Sequence, residues 1–299
     1  MIRNGYTYKV LENEILKLEK KYKFIEKIII GNSVEGRNLY TLKFGRGKRK
    51  VFICGGIHAC EWITSPILLR WLSEICRLYI SNDSAYGRSV VELFNKTTVH
   101  ILPMVNPDGI ELQINGLSAY DPRYSKLLKI NNYNTDFSKW KSNINGVDIN
   151  RNFDAGWQEA KEIERSIKIK GPYLHTYGGS YPESEPETQA LTSYTRQEDF
   201  DLILAYHTQG QEIYWDYGGI YIEGARELGE ELARASGYSL TNPDENSSYA
   251  GYKDWFIKEF KKPGYTIECG LGVNPLPISQ FNQIYYRNFE LILIAAWGE

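Results

Sequence analysis

The 299-residue sequence is poor in cysteine and histidine, with only four of each. No two cysteines form a CxxC pair, and Cys54, Cys60, Cys76 and Cys269 all fall in or beside apolar segments. This usage argues against a thiolate zinc knot and against a dense disulfide framework. We therefore predict reduced, mostly buried thiols, and a site built on histidine must draw on a very small set of residues.

The chain also lacks an excess of either charge and a long apolar run. Its 35 basic and 37 acidic residues leave a formal net charge of −2, so there is no bulk electrostatic case for nucleic acid or an anionic membrane as a partner. No stretch approaches the roughly 18 consecutive apolar residues of a membrane span. The first 25 residues lack the apolar core and cleavage site of a secretory signal. We predict a cytoplasmic monomer that binds neither nucleic acid nor membrane, with a spore or secreted location as the alternative.

Nothing in the sequence marks a boundary between domains, since it contains no Pro/Gly/Ser-rich linker, low-complexity tract or repeat. The 42% hydrophobic content is enough for a substantial core. We predict one domain over residues 1–299, including an N-terminal helical segment at 1–25. Residues 115–145 and 158–186 are polar, aromatic and poor in periodicity, and are expected to be long surface loops.

Short runs rich in β-branched residues alternate with segments of helical periodicity. Strands are predicted at Lys27–Ile30, Leu39–Phe44, Lys50–Cys54, Thr98–Met104, Leu202–Ala205 and Tyr265–Glu268. Helices are predicted at Thr64–Ile80, Glu187–Gln197, Ile222–Ala235, Tyr252–Phe260 and Ser279–Trp297. This alternation predicts an α/β sandwich.

A histidine and a carboxylate follow one of these strands. The segment from Val51 to Trp62 runs an apolar strand into a diglycine turn and then places His58 and Glu61 three residues apart. On a turn or first helical turn, this spacing puts both side chains on one side. Catalytic zinc typically takes three protein ligands from His and Glu or Asp and leaves a further position open. A third ligand must therefore come from elsewhere in the chain.

The other histidines are His100, His175 and His207. His100 lies within a predicted buried strand, and His175 lies in an irregular segment. His207 ends an apolar strand and is followed by polar residues and glycine. Because ligand sites in α/β sheets form at the carboxyl ends of strands, we predict that His207 completes a site for one zinc ion.

Glu268 stands at the end of another predicted apolar strand. A buried carboxylate is costly unless it is paired, so the residue either forms a structural salt bridge or lies near the metal. Beside a zinc site, such a carboxylate can accept a proton from the water that attacks an amide carbonyl and pass it to the leaving amine. We predict this role of general base for Glu268.

Taken together, the motifs resemble the metallocarboxypeptidase A family in order and approximate spacing over nearly the whole chain. The matching stretches are Gly55–Trp62, Val105–Gly109, Gly146–Phe153, Ser184–Thr188, His207 and Thr266–Glu268. The resemblance implies a mixed eight-stranded sheet between helices and zinc on His58, Glu61 and His207. It also implies that Asn150 and Arg151 bind a free carboxylate of the substrate. A guanidinium fork beside an amide is independently suited to binding a carboxylate with two hydrogen bonds.

The chain departs from the family pattern at two positions. Trp140-Lys141 stand where an oxyanion-stabilising arginine is expected, and Lys141 is the candidate replacement. The place of the family's mobile substrate tyrosine falls at Asn246, and Tyr249 three residues on is the candidate for contacting substrate.

Further stretches resemble a bacterial subgroup, the γ-D-glutamyl-L-diamino acid endopeptidases. They are Trp140–Asn143, Phe153–Trp157, His207–Trp215 and Tyr249–Trp255. The resemblance implies cleavage between γ-D-Glu and meso-diaminopimelate in the stem peptides of the cell wall, with a peptide or muropeptide as the substrate. No separate wall-binding domain is predicted. The alternatives are a general metallocarboxypeptidase, a zinc deacylase of N-acyl amino acids and an inactive homologue that only binds peptides.

Overall fold

The computed structural model of the chain describes residues 5–243 and 249–298. Its strands are β1 (Glu26–Asn32), β2 (Asn38–Phe44), β3 (Arg49–Cys54), β4 (Ser84–Ala85), β5 (Arg88–Ser89), β6 (Thr97–Leu102), β7 (Leu202–His207), β8 (Glu212–Tyr214), β9 (Ser239–Thr241) and β10 (Gly264–Glu268). Its α-helices are α1 (Tyr8–Lys21), α2 (Thr64–Ser81), α3 (Val90–Lys96), α4 (Pro107–Asn115), α5 (Tyr124–Ile130), α6 (Trp157–Ser166), α7 (Pro186–Glu198), α8 (Ala225–Ser236), α9 (Tyr252–Phe260) and α10 (Phe281–Trp297). Short 3-10 helices lie at Ala59–Glu61, Ile149–Arg151 and Ile278–Gln280.

Eight strands form one mixed sheet in the order β1-β2-β6-β3-β7-β10-β8-β9. The central strands β6, β3, β7 and β10 are parallel, whereas β2 pairs antiparallel with β6 and β8 pairs antiparallel with β10. The carboxyl ends of β3, β7 and β10 therefore lie side by side at one edge. The last residues of β7 and β10, His207 and Glu268, are register partners.

The central strands bury both of their faces. In β3, Val51 and Ile53 pack in a core with residues of α1, α2, α8 and α10, whereas Phe52 packs in a second core with residues of α7 and α9. Because side chains alternate across a strand, each apolar run supplies both cores. This arrangement confirms the predicted α/β/α sandwich with a mixed eight-stranded sheet.

The predicted loops at 115–145 and 158–186 are partly wrong, because the first contains α5 and the second overlaps α6. These two helices have only 7 and 10 residues and bury few side chains, so little apolar periodicity marks them in the sequence. Their buried residues are Leu127, Ile130, Ala160 and Glu164. The N-terminal segment 1–25 contains α1 as predicted, and residues 1–4 lie outside the described part.

All four cysteines are free and buried, as predicted. In residues 5–243 and 249–298, no helix has the length and apolar character needed to cross a membrane.

Candidate active site

His58, Glu61 and His207 converge at the carboxyl edge of the sheet. His58 Nδ1 lies 3.0 Å from Glu61 Oε1, and His207 Nδ1 lies 3.0 Å from Glu61 Oε2 and 3.0 Å from His58 Nδ1. A tetrahedral zinc ion with bonds of about 2.0–2.1 Å holds its ligand atoms roughly 3.3 Å apart. The donor set and its spacing therefore fit a single zinc ion, and these residues form a cluster able to bind a metal ion.

The diglycine turn after β3 positions the first two residues of the cluster. Gly56 has a φ of +59°, and a Cβ there would come within 2.9 Å of Ser65 Oγ, so glycine is required. The chain then enters the 3-10 helix Ala59–Glu61, preceded by His58. The turn and the spacing of three residues point both side chains to the same side, as predicted.

Asp148 fixes the orientation of His58. The His58 Nε2 atom lies 3.1 Å from Asp148 Oδ1, while Asp148 Oδ2 accepts a hydrogen bond from the Thr176 backbone N–H. A hydrogen bond from Nε2–H to a carboxylate leaves the Nδ1 lone pair facing the cluster. Asp148 was not singled out from the sequence, although it lies in the Gly146–Phe153 stretch.

Asn274 and Thr208 hold Glu61 in place. Asn274 Nδ2 donates to Glu61 Oε1 at 3.3 Å, and the Thr208 backbone N–H donates to Glu61 Oε2 at 3.2 Å. Thr208 Oγ1 also donates to Asn274 Oδ1 at 2.7 Å. The carboxylate is therefore presented to the two histidines in one orientation.

The charge states of Glu61 and His207 suit a bound cation. Burial alone would raise the pKa of Glu61, but the charges of His58 and His207 and their hydrogen bonds hold it well below its usual range. Burial lowers the pKa of His207, and the neighbouring His58 lowers it further. Glu61 is thus a carboxylate and His207 a neutral imidazole near pH 7, which are the forms that bind metal.

Glu268 and Lys141 lie beside this cluster. Burial, together with the negative charge of Glu61, raises the pKa of Glu268 to about 8. Burial alone would lower the pKa of Lys141, but Asp148, Glu61 and Glu268 are among the groups that raise it, so the side chain stays an ammonium. A cation bound at the neighbouring cluster would lower the pKa of Glu268 and favour its carboxylate form, which can accept a proton. The Lys141 ammonium places a fixed positive charge beside it.

Two cavities flank the cluster and share Lys141, Tyr214 and Glu268. The Arg151 cavity has a volume of about 110 Å³, and its lining also includes Asn150, Arg151, Lys253, Asp254 and Thr266. The Lys139 cavity has a volume of about 500 Å³, and its lining also includes Glu61, Lys139, His175, Thr208 and Asn274. Asn150 and Arg151, singled out from the sequence, thus lie in one cavity with Glu268 and Lys141.

The structure does not bring Tyr249 into this group. Its ring packs against Gly156, where an added Cβ would come within 2.6 Å of Tyr249 Cδ1, and Tyr249 lines neither cavity. Asn246 lies outside the described residues. Tyr214, in contrast, lines both cavities, and its hydroxyl donates to Glu212 Oε2 at 2.7 Å. It lies in the His207–Trp215 stretch, but nothing in the sequence distinguishes it from the chain's other tyrosines.

The lining of the Arg151 cavity includes an ion pair that the sequence did not indicate. Lys253 Nζ lies 2.6 Å from Asp254 Oδ1, and the two side chains are 4% and 5% exposed. Lys253 also donates to the carbonyl oxygen of Asp216. Buried charges are retained only when paired in this way.

Comparison with known proteins agrees with this geometry. The family model described as zinc carboxypeptidase matches residues 11–290. The chain belongs to the zinc carboxypeptidase family. As a member of that family it is a zinc-dependent metallopeptidase that hydrolyses amide bonds in peptides.

Two relatives show the range of this zinc carboxypeptidase family. The chain is 39% identical to gamma-D-glutamyl-L-diamino acid endopeptidase 1 of Lysinibacillus sphaericus, over 97% of this chain and 72% of that protein. It is 32% identical to human carboxypeptidase B, over 82% of this chain and 57% of that protein.

The fold of this zinc carboxypeptidase is also found in solved structures. The structure of bovine thrombin-activatable fibrinolysis inhibitor, in complex with tick carboxypeptidase inhibitor, matches with a TM-score of 0.72 and 23% identity. The match covers 98% of this chain and 96% of that chain. This likeness concerns the fold alone.

Proposed function

We propose that the chain cleaves the amide bond between γ-linked D-glutamate and an L-diamino acid, such as meso-diaminopimelate, in stem peptides of the cell wall. The name of the Lysinibacillus relative describes this type of bond, and that relative is 39% identical over 97% of this chain. The substrate would be a peptide or a muropeptide.

The lining of the Arg151 cavity is the observation that carries this proposal. It places Arg151, Lys253 and Asp254 together. Among the described residues that line this cavity, and apart from His58, only Pro243 and Tyr214 are large apolar or aromatic residues. A hydrophobic C-terminal side chain would lie against these charged groups without forming a polar interaction with any of them. The far end of a diaminopimelate side chain carries both an ammonium and a carboxylate. These groups are complementary in charge to Asp254 and Lys253, respectively.

Asn150 and Arg151 have a defined task in this proposal. The leaving diamino acid keeps a free carboxylate close to the scissile bond, and a guanidinium fork can bind it with two hydrogen bonds. Asn150 is held in position because its Oδ1 accepts the Tyr252 backbone N–H at 3.0 Å. The leaving group therefore occupies the Arg151 cavity and the acyl group the Lys139 cavity.

The remaining roles follow from position. His58, Glu61 and His207 would hold the zinc ion, which supplies Lewis acidity to the reaction when bound. Glu268 would accept the proton of the attacking water and deliver it to the leaving amine. Lys141 would stabilise negative charge that develops on the carbonyl oxygen. Tyr249 has no role in this proposal, because its ring packs on Gly156.

A matched hydrolysis assay tests the proposal. L-Ala-γ-D-Glu-meso-diaminopimelate and an ordinary peptide with a C-terminal hydrophobic residue are offered to the same sample, with zinc content measured in parallel. We expect cleavage of the first peptide alone. Release of the C-terminal residue from the second peptide alone would make the chain a general carboxypeptidase, and cleavage of neither by zinc-loaded protein would indicate an inactive homologue.

Arg151→Ala is expected to lower kcat/KM for the stem peptide about a hundredfold, mainly through KM. The variant removes charge-assisted hydrogen bonds to the leaving carboxylate, each typically worth about 1.5–3 kcal/mol. Steady-state kinetics measure the effect, and Arg165→Ala, at an exposed position of α6, is the matched control. Unchanged kcat/KM in Arg151→Ala would rule out this role.

A further inference from the structure

Most of the charged side chains that line the Lys139 cavity already have a role in metal binding or catalysis in the proposed function. Of its lining carboxylates, Glu61 belongs to the metal cluster and Glu268 is the proposed base. Lys141 faces both cavities, whereas Lys139 lines only this one. The side chain with a full charge that remains for a substrate group is therefore the Lys139 ammonium.

The ammonium of Lys139 has no hydrogen bond or ion pair with any other described residue. The closest acidic candidate in sequence, Asp136, accepts hydrogen bonds from the Ser138 backbone N–H at 2.8 Å and from Ser138 Oγ at 2.9 Å. Its carboxylate is therefore engaged elsewhere, although the Lys139 charge still contributes to lowering the pKa of Asp136, after those two hydrogen bonds.

The neighbouring buried residue fixes where Lys139 and Lys141 point. Trp140 between them is fully buried in the core that contains α1 and α2, and the Lys141 and Ser142 backbone N–H groups donate to the Leu174 carbonyl oxygen. Trp140 and these backbone hydrogen bonds thus fix the segment, and the two lysine side chains line the cavity rather than the core.

His175, the other basic residue of this cavity, does not supply a fixed charge. Burial lowers its pKa, the nearby Asp148 opposes this shift, and Lys141 lowers the pKa further. The His175 Nδ1 atom also lies 2.7 Å from Thr176 Oγ1. The lysine side chains are therefore the cationic groups among the described residues that line this cavity.

We propose that Lys139 binds the free α-carboxylate of the γ-linked glutamyl residue on the acyl side of the scissile bond. This inference rests on the proposed function, which puts the acyl group in the Lys139 cavity. In a γ-glutamyl amide, four carbon–carbon bonds separate the reacting carbonyl carbon from the α-carboxylate carbon, a span of roughly 5 Å when extended. The two ends of the substrate would then each present one carboxylate, to Arg151 and to Lys139.

This assignment gives Lys139 a role in specificity and none in the chemical step. The Lys139 ammonium attracts a carboxylate at this position of the acyl group and repels an amine. A stem peptide in which the same carboxylate is converted to a carboxamide keeps its shape but loses the charge. The two peptides form a matched pair for measuring the contribution of Lys139.

The test compares L-Ala-γ-D-Glu-meso-diaminopimelate with the same peptide bearing D-isoglutamine. We expect the unmodified protein to cleave the carboxylate peptide with about tenfold higher kcat/KM, because a charge-assisted hydrogen bond is lost in the amide. Lys139→Met should lower the rate on the carboxylate peptide to that on the amide and leave the amide rate unchanged. Lys139→Glu should reverse the preference.

The control is Lys126→Met, which changes an exposed lysine that lines neither cavity and should keep the tenfold ratio. Equal cleavage of both peptides by the unmodified protein would overturn the role of Lys139 and leave the proposed function standing. A preference for the carboxylate peptide that persists in Lys139→Met would likewise overturn the role of Lys139 and leave the proposed function standing. If neither stem peptide is cleaved while the hydrophobic peptide is, the proposed function itself fails, and this inference fails with it.

Discussion

Glu268→Gln is expected to lower kcat by about a thousandfold or more while the zinc content stays at one ion per chain. Removal of a general base typically costs 10²–10⁴-fold in rate. The amide keeps the shape of the side chain but has no basic oxygen for the proton of the attacking water. Because Glu268 lies outside the His58, Glu61 and His207 cluster, the metal should remain bound.

The measurement is kcat on the stem peptide with metal analysis of the same sample. Glu212→Gln is the matched control, since Glu212 is the register partner of Glu268 on the neighbouring strand β8. Its change in kcat should stay below tenfold, because the amide oxygen can still accept from the Tyr214 hydroxyl. Substantial hydrolysis by zinc-loaded Glu268→Gln would remove Glu268 from the role of base.

The buried strands were predictable because short apolar runs rich in β-branched residues are typical of strands and not of helices. The predicted strands at β1, β2, β3, β6, β7 and β10 all overlap the observed ones, and both faces of the central strands are covered. The short strands β8 and β9, at one side of the sheet, were missed. Each has three residues, too few for an alternating pattern to be recognised. Strand β8 forms by pairing with β10, and β9 by pairing with β8, in the completed sheet.

Helix α6 was missed for a related reason. Its buried residues are Ala160 and Glu164, and its apolar positions Trp157, Ala160 and Ile163 are too few to stand out among the charged residues between them. Contacts distant in sequence hold it instead: Gly178 N–H donates to Glu164 Oε1 at 2.8 Å, and Trp157 Nε1 donates to the Gly178 carbonyl oxygen at 2.9 Å. Such tertiary contacts override local periodicity and cannot be deduced from the segment itself.

In the active site, the strand pattern alone indicated residues at strand ends, whereas Lys141, Asn150 and Arg151, which lie outside the strands, were indicated only by the family resemblance. His58, His207 and Glu268 follow apolar strands, and the parallel order of β3, β7 and β10 brings them together. Lys139 and Lys253 have no such marker, since each is one lysine among the 35 basic residues of the chain. Only the folded chain shows that one lines the Lys139 cavity and the other the Arg151 cavity.

His207→Ala is expected to reduce bound zinc to below about a tenth of an ion per chain after dialysis and to abolish hydrolysis. The variant removes one of the three proposed protein ligands, and Glu61 Oε2 loses the partner that lies 3.0 Å away. His100→Gln is the matched control, because His100 is also buried in a strand but bonds Tyr194 and lies outside the cluster. It should keep its zinc.

Thermal unfolding separates loss of metal from loss of fold. A ligand present at 1,000 times its Kd stabilises the native state by about 4 kcal/mol, which for a chain of 299 residues corresponds to roughly 6–7 °C in Tm. Addition of a chelator should therefore lower the Tm of the unmodified protein and of His100→Gln by about this amount and leave His207→Ala unchanged. An equal shift in all three proteins would place the zinc ion somewhere other than His58, Glu61 and His207. Retention of a full zinc ion by His207→Ala would lead to the same conclusion without any measurement of activity.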